Sequence, residues 1–257
     1  MLAFTDETPG KPPIKVNFCD LYVNALFNSA KCSKIMRDKM NDTPAFAIEF
    51  GKISLLTNVG RINTTMAFFP EMKTALRSYH PVPSLQKTDG NVQDAPRIKN
   101  CLKAALLPGE QRSAPPSTPA DIITRASNGH VPPTSIVNLL FVLTNYSTSL
   151  GPVHFEHPVE FIDLFLPTNM SSPARAKAFL WMVFHYHEGP ALPNPFADDH
   201  ARAHPVIIEA WNRVQTLDPL MDSDEEGLDE YARAEYQGRL RVLGAIWPQA
   251  RPSDAPR

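Results

Sequence analysis

Proline is the residue that most constrains this chain. There are 26 in 257 positions, about 10% against an average near 5%. Each fixes its own φ, lacks an amide donor and disfavours helix in the residue before it. Long uninterrupted helices and central strands are therefore excluded over much of the sequence. What survives is a set of short segments with helical period between Pro-rich connections: a mainly α protein, built either as two small helical bundles or as one irregular multi-helix array.

The first such segment runs from about Cys19 to Lys39, with Cys19, Tyr22, Val23, Leu26, Phe27 and Ala30 on one face at the i, i+3, i+4 spacing of an amphipathic helix. Pro44, preceded by candidate caps at Asn41–Thr43, opens a second carrying Phe46, Phe50 and Ile53. A third starts near Pro70 after a break at Gly60, with Phe69, Met72, Leu76 and Tyr79 in register. His80-Pro81-Val82-Pro83 ends it, and a short amphipathic piece follows at Ala95–Leu107. The stretch PGEQRSAPPSTPA at 108–120 reads as linker. Helical spacing resumes at Pro133–Tyr146 through Ile136, Leu139, Leu140 and Leu143, and a short helix fits Val159–Phe165. At Ser171–Glu188 a serine cap, Pro173 at the start and Gly189-Pro190 at the end bracket Phe179–Phe184, a run that leaves no polar stripe. A helix apolar all round must be enclosed by protein, so Trp181 and Phe184 are expected as structural anchors. Two further helices are expected, one with Val206, Ile207, Trp211 and Val214 and one near Leu228–Ile246. No strand pair is evident. The divisions this suggests are an N-terminal helical region at 15–80, a linker-like region with a short helix at 81–131 and a C-terminal helical domain at 132–247.

Charge is unevenly spread. Residues 1–125 hold 16 Lys/Arg against 11 Asp/Glu, and residues 126–257 hold 9 against 16. A basic front and an acidic back suit contact with an anionic partner or docking of the halves. Cys19, Cys32 and Cys101 form no CxxC pair and are odd in number, which argues against a disulfide framework. No signal-peptide pattern opens the sequence, so an intracellular site, cytosolic or nuclear, is expected. No apolar run approaches the roughly 20 residues of a membrane span.

Enzyme signatures fail one by one. GxSxG, GxGxxG and GxxxxGK[ST] are absent, and His187-Glu188 runs into Gly189-Pro190 where HExxH would need its second histidine. Asp222–Gly227 imitates an EF-hand start, but the twelfth position is Arg233 instead of a bidentate carboxylate. His200 and His204, four apart, have the one histidine spacing that suits zinc, and with Asp198 and Asp199 they define a rival reading as a metal-dependent enzyme. Pro205 makes a regular helix through both doubtful, so neither metal nor cofactor is expected.

Two sets of cations suit contact with a partner or with phosphate. Arg175 and Lys177 fall in the opening turns of the apolar helix, where the macrodipole opposes positive charge and something must offset the cost. Arg61, Lys73 and Arg77 stand among Phe68, Phe69 and Tyr79, a mixture that can bind nucleic acid or an acidic segment. Lys31, Lys34 and Arg37 read more simply as cations closing the first helix.

Three stretches resemble a known family: VNALFNSAKCSKIMRDKM (23–40), GRINTTMAFFPEMKTALRSYHPVPSLQ (60–86) and SSPARAKAFLWMVFHYHEG with NPF (171–189, 194–196). They are similar to the fungal subunit-one family of the Ino-eighty chromatin-remodelling complex, over about residues 17–87 and 132–200. The resemblance implies a nuclear, non-catalytic accessory subunit of an ATP-driven remodeller. Its partners would be the other subunits, with secondary contact to DNA or the nucleosome, and it would act on no small-molecule substrate or membrane. A free-standing DNA-binding protein is a further reading, disfavoured by a pI near 6.4.

Overall fold

A computed structural model describes residues 1–7, 12–61, 94–155, 158–166 and 170–203. The helices expected from Pro70 onward, at Val206–Val214 and at Leu228–Ile246 lie outside the described residues.

The described residues are mainly α-helical, as the proline-broken pattern requires. The exception is a correction: a strand pair exists. β1 (Phe4–Asp6) and β2 (Ile14–Val16) run antiparallel, with Phe4 opposite Val16 and Asp6 opposite Ile14. Three residues per strand are too few to show a period of two, and such a hairpin is marginal by itself. Packing holds it in place. Phe4 is 1% exposed; its ring stacks on Phe196 at 5.7 Å and meets Phe18 and Phe184 edge-on at 6.1 and 6.0 Å.

The single helix expected at Cys19–Lys39 is two. α1 (Phe18–Phe27) begins where the Asn17 side chain accepts from the Asp20 amide at 2.9 Å, and α2 (Lys34–Asp42) begins where Ser33 accepts from the Met36 amide at 3.3 Å. The break is fixed from both sides. The Arg37 guanidinium donates to the carbonyls of Phe27 and Ser29, both at 3.0 Å, and the Ser29 hydroxyl donates to the Cys101 carbonyl at 2.7 Å. Lys34 and Arg37 thus belong to the second helix, and Arg37 satisfies the end of α1 from outside it.

α3 (Pro44–Asn58) starts with proline in its first position, and Phe46, Phe50 and Ile53 on it are buried. It closes in a Schellman turn: the Arg61 amide bonds the Leu56 carbonyl at 2.8 Å and the Gly60 amide the Thr57 carbonyl at 3.2 Å. Gly60 has φ of 68°, and among the described residues a Cβ there would meet nothing within 4 Å. Gly60→Ala should therefore cost only the backbone strain, about 1 kcal/mol, read as a lower urea midpoint at unchanged slope. Ser54 on the same helix is fully buried and its hydroxyl has no hydrogen-bond partner among the described residues. Ser54→Ala removes an unsatisfied polar atom and should raise stability by about 1 kcal/mol. A variant less stable than the parent in urea would contradict this.

α4 (Asp94–Lys103) follows, with Ile98, Cys101 and Leu102 buried. The 108–120 stretch is more than a connection. Within it Glu110 is buried, and its carboxylate accepts from the Thr134 hydroxyl, the Leu107 amide at 2.9 Å and the Ser135 amide at 3.3 Å. Its end starts α5 (Pro119–Ser127), which sequence period alone did not single out. Thr118 and Asp121 cap that helix reciprocally.

α6 (Ile136–Asn145) bends by 88° into α7 (Ser147–His154). A 3₁₀ turn at Phe161–Phe165 stands where a short helix was expected. α8 (Ser172–His187) has the expected cap, Ser171, which accepts from the Ala174 amide at 3.3 Å. The short α9 (Asp199–Ala203) ends the described chain. α6 and α8 form the centre: Leu139, Leu140, Leu143, Met182 and Val183 are all fully buried, each worth roughly 1.5–3 kcal/mol. α1, α3 and α5 pack around them, so one core takes side chains from Phe4, Ile53, Ile98, Ile122 and Met182 together. Among the described residues no single helix is long and apolar enough to cross a membrane.

Candidate interaction surface

The C-terminus of α8 carries a buried carboxylate, Glu188, 2% exposed. One oxygen accepts from the Thr5 amide at 2.5 Å and contacts His187 Nδ1 at 2.9 Å; the other accepts from the Thr5 hydroxyl at 2.8 Å and from Lys15 Nζ at 2.6 Å. Burial pushes this carboxyl up, but the hydrogen bonds from His187, Lys15 and the Thr5 amide outweigh it and hold the pKa at about 2. His187-Glu188 is therefore the clasp between α8 and the N-terminal hairpin, a role invisible in the failed HExxH comparison.

The other histidines of the core are also committed. His154 is 2% exposed and bonds the Tyr186 hydroxyl through Nε2 at 2.8 Å. His185 stacks on Trp181 at 5.1 Å with an 11° tilt and faces the His154 ring edge-on at 5.2 Å. Burial lowers the His185 pKa to about 4. Trp181 and Phe184, the expected anchors, are 3% and 5% exposed.

The rival metal site gains no geometry. Asp198 accepts from the Ala201 amide at 2.7 Å and so caps α9, while Asp199 pairs with Arg202 at 2.5 Å on the surface. The His200 side chain and all of His204 lie outside the described residues. Among the described residues no group of three or more His, Cys, Asp or Glu is placed to hold a metal ion. Cys32 and Cys101 stand in no disulfide; Cys101 donates to the Leu26 carbonyl at 3.3 Å.

Of the expected contact cations, the structure describes three. The Arg175 guanidinium donates to the carbonyl of Leu166 at 2.7 Å and more weakly to that of Leu164 at 3.4 Å. The charge at the N-terminus of α8 is thus offset within the molecule, by the orphan carbonyls that end the 3₁₀ turn. Lys177, two residues on, is exposed. Arg61, half-buried, follows the α3 terminal turn. These three are not brought together in one cluster by any contact among them. Lys73 and Arg77, with Tyr79, lie outside the described residues.

The surface does hold one shaped apolar feature that periodicity could not reveal. A groove of about 580 Å³ opens between the end of α3, α4 and α6. Leu102, Ala105, Leu106, Pro115 and Val137 form its walls, and Phe141, 53% exposed, stands at its edge. Lys99 and Lys103, one turn apart on α4, are its charged members, and no carboxylate lines it among the described residues.

Comparison with known proteins bears on all of this. The family described as Ino eighty subunit 1 N-terminal domain matches residues 1–243. Ino eighty subunit 1 of Emericella nidulans is 41% identical over 282 aligned positions, taking in 100% of this chain and 34% of the relative. Ino eighty subunit 1 of Saccharomyces cerevisiae is 42% identical over 102 positions, 38% of this chain and 15% of the relative. The chain thus spans about a third of the length of the Emericella protein. No solved structure matches it. With a family match over residues 1–243 and a relative 41% identical across 100% of this chain, the chain belongs to the Ino eighty subunit 1 family.

Proposed function

We propose that this chain is a non-catalytic accessory module of a nuclear, ATP-dependent chromatin-remodelling complex, acting as a scaffold that holds other subunits. The observation that carries the reading is the 41% identity, over the full chain, to a protein named as an Ino eighty subunit. Internal chemistry supports it. Among the described residues the buried side chains Glu110, His154 and Glu188 make hydrogen bonds that join elements of the fold, and His187 bonds Glu188, so each has a structural role. Secondary contact to DNA phosphates is assigned to Arg61, Lys73, Arg77 and Lys177. Arg175 contributes less to it, because its guanidinium is already bonded to Leu166.

Affinity purification of the tagged protein from nuclear extract tests the reading. The remodeller's motor and its other subunits should co-purify in stoichiometric amounts. Recovery of the protein alone, or with cytosolic enzymes only, would remove it. Direct phosphate contact predicts that Arg61→Glu with Lys177→Glu weakens DNA retention of the assembled complex and flattens its salt dependence. Unchanged retention would confine the module to protein contacts.

A further inference from the structure

We propose that the groove between α3, α4 and α6 is a docking site for the chain's own acidic segment at residues 217–235. The groove has an apolar floor and a one-signed rim. Leu102, Ala105 and Val137 supply the floor. Lys99 and Lys103 are exposed on the same face of α4, four residues apart, and among the described residues no carboxylate lines the groove to pair with either. An occupant of matching chemistry is an apolar segment studded with acids.

The segment LDPLMDSDEEGLDEYARAE has that composition. It holds eight Asp/Glu against a single Arg233, interleaved with Leu217, Leu220, Met221, Leu228 and Tyr231. It is also the densest part of the acidic excess in the back half of the chain. The internal segment at 62–93 is a poorer match, since Lys73, Arg77 and Lys87 outnumber Glu71 and Asp89 there and would meet like charge at the rim. Reach is sufficient. Leu217 lies fourteen residue steps beyond Ala203, and at about 3.4 Å each they span up to about 48 Å, comparable to the ~40 Å width of a domain of some 200 residues. Because the two are tethered, docking is intramolecular, with an effective concentration on the order of millimolar. Apolar contact with the floor would then supply most of the affinity, and the exposed ion pairs would set register and orientation. Docking of this kind needs only the chain itself and stands apart from its membership of any larger assembly.

Zero-length carbodiimide coupling of the 257-residue chain at low micromolar concentration tests it. The cross-linked peptides are mapped by mass spectrometry in the monomer fraction. Lys99 and Lys103 should be joined to carboxylates between Asp218 and Glu235, with yields falling several-fold as salt rises to 0.5 M. In the double variant Lys99→Glu and Lys103→Glu those bonds should vanish. Pairing the single variant Lys99→Glu with Glu226→Lys should restore a cross-link of swapped polarity. Bonds from the two lysines to Glu71 or Asp89 would mean that the 62–93 segment fills the groove. Bonds found only in mixed dimers of light and heavy isotope-labelled copies would assign it to a second copy. Absence of any bond to residues 218–235 would leave it to an outside partner. Each of these three outcomes overturns the proposal, and the wild-type pattern decides even if a variant fails to fold.

Discussion

Glu188→Ala is expected to lower the unfolding free energy by about 3 kcal/mol and the Tm by roughly 6–12 °C for a chain of this size. The carboxylate takes four hydrogen bonds from three residues, two of them more than 170 positions away in sequence. Removing it strands the Thr5 amide and the His187 ring nitrogen in an environment where Glu188 itself is 2% exposed. Each stranded group costs about 1–3 kcal/mol. The Lys15 side chain is 51% exposed and returns to water at little cost, and its loss leaves Glu188 one donor short with the Thr5 and His187 bonds intact, so Lys15→Met should lose about 1–2 kcal/mol, less than Glu188→Ala. That contrast separates a buried clasp from a surface ion pair. A Glu188→Ala variant within about 0.5 kcal/mol of the parent in urea would refute the clasp.

The same carboxylate has a pH signature. Its folded pKa is about 2 against an ordinary 4.5. A depressed carboxyl contributes stability that is complete above the unfolded value and is lost as pH falls through the folded one. The gap between parent and Glu188→Gln should therefore hold steady above about pH 5 and narrow between about pH 4.5 and 2.

What could be read from sequence was whatever announces itself locally. α8 was legible because its stop and start are local signals: Ser171 before Pro173, then Gly189-Pro190. α3 was legible through Pro44 and the Phe46, Phe50, Ile53 face. The hairpin was not, because three-residue strands have no readable period and Phe4 is held largely by rings far away in the sequence, Phe184 and Phe196 among them. The split between α1 and α2 was hidden for a similar reason. The apolar spacing continues through Ala30, while the groups that hold the break open, Arg37 and Cys101, act across space. In the clasp, likewise, nothing near Glu188 in the sequence points to Thr5 and Lys15. The groove depends on three helices meeting, so its lysines looked like any charged positions on a helix face. Family resemblance supplied the functional reading that local chemistry lacked, and the match over residues 1–243 bears out the family itself.

Mild acid should weaken this fold well before the Glu188 clasp releases, and His185 is the group responsible. Its pKa is lowered from 6.5 to about 4 by burial, in a site walled by Trp181, His154 and Tyr186. A lowered histidine behaves oppositely to a raised one. Above pH 6.5 it is neutral in both states and adds no pH dependence. Between about pH 6.5 and 4 the unfolded chain takes up the proton and the folded chain refuses it, so stability falls as pH falls. Each tenfold difference in proton affinity between the two states is worth about 1.4 kcal/mol, so the loss approaches about 3 kcal/mol by pH 4. Below that the folded state is protonated too, and this contribution to the slope ends. His185→Phe retains a ring to stack on Trp181 and has no proton to bind. Its urea-derived stability should be flatter than the parent's across pH 6.5–4, so that whatever the variant loses at neutral pH it regains relative to the parent toward the acid end of that window. Parallel curves would show that His185 is solvated enough to titrate normally, and acid sensitivity would then have to be sought in the carboxylates at lower pH.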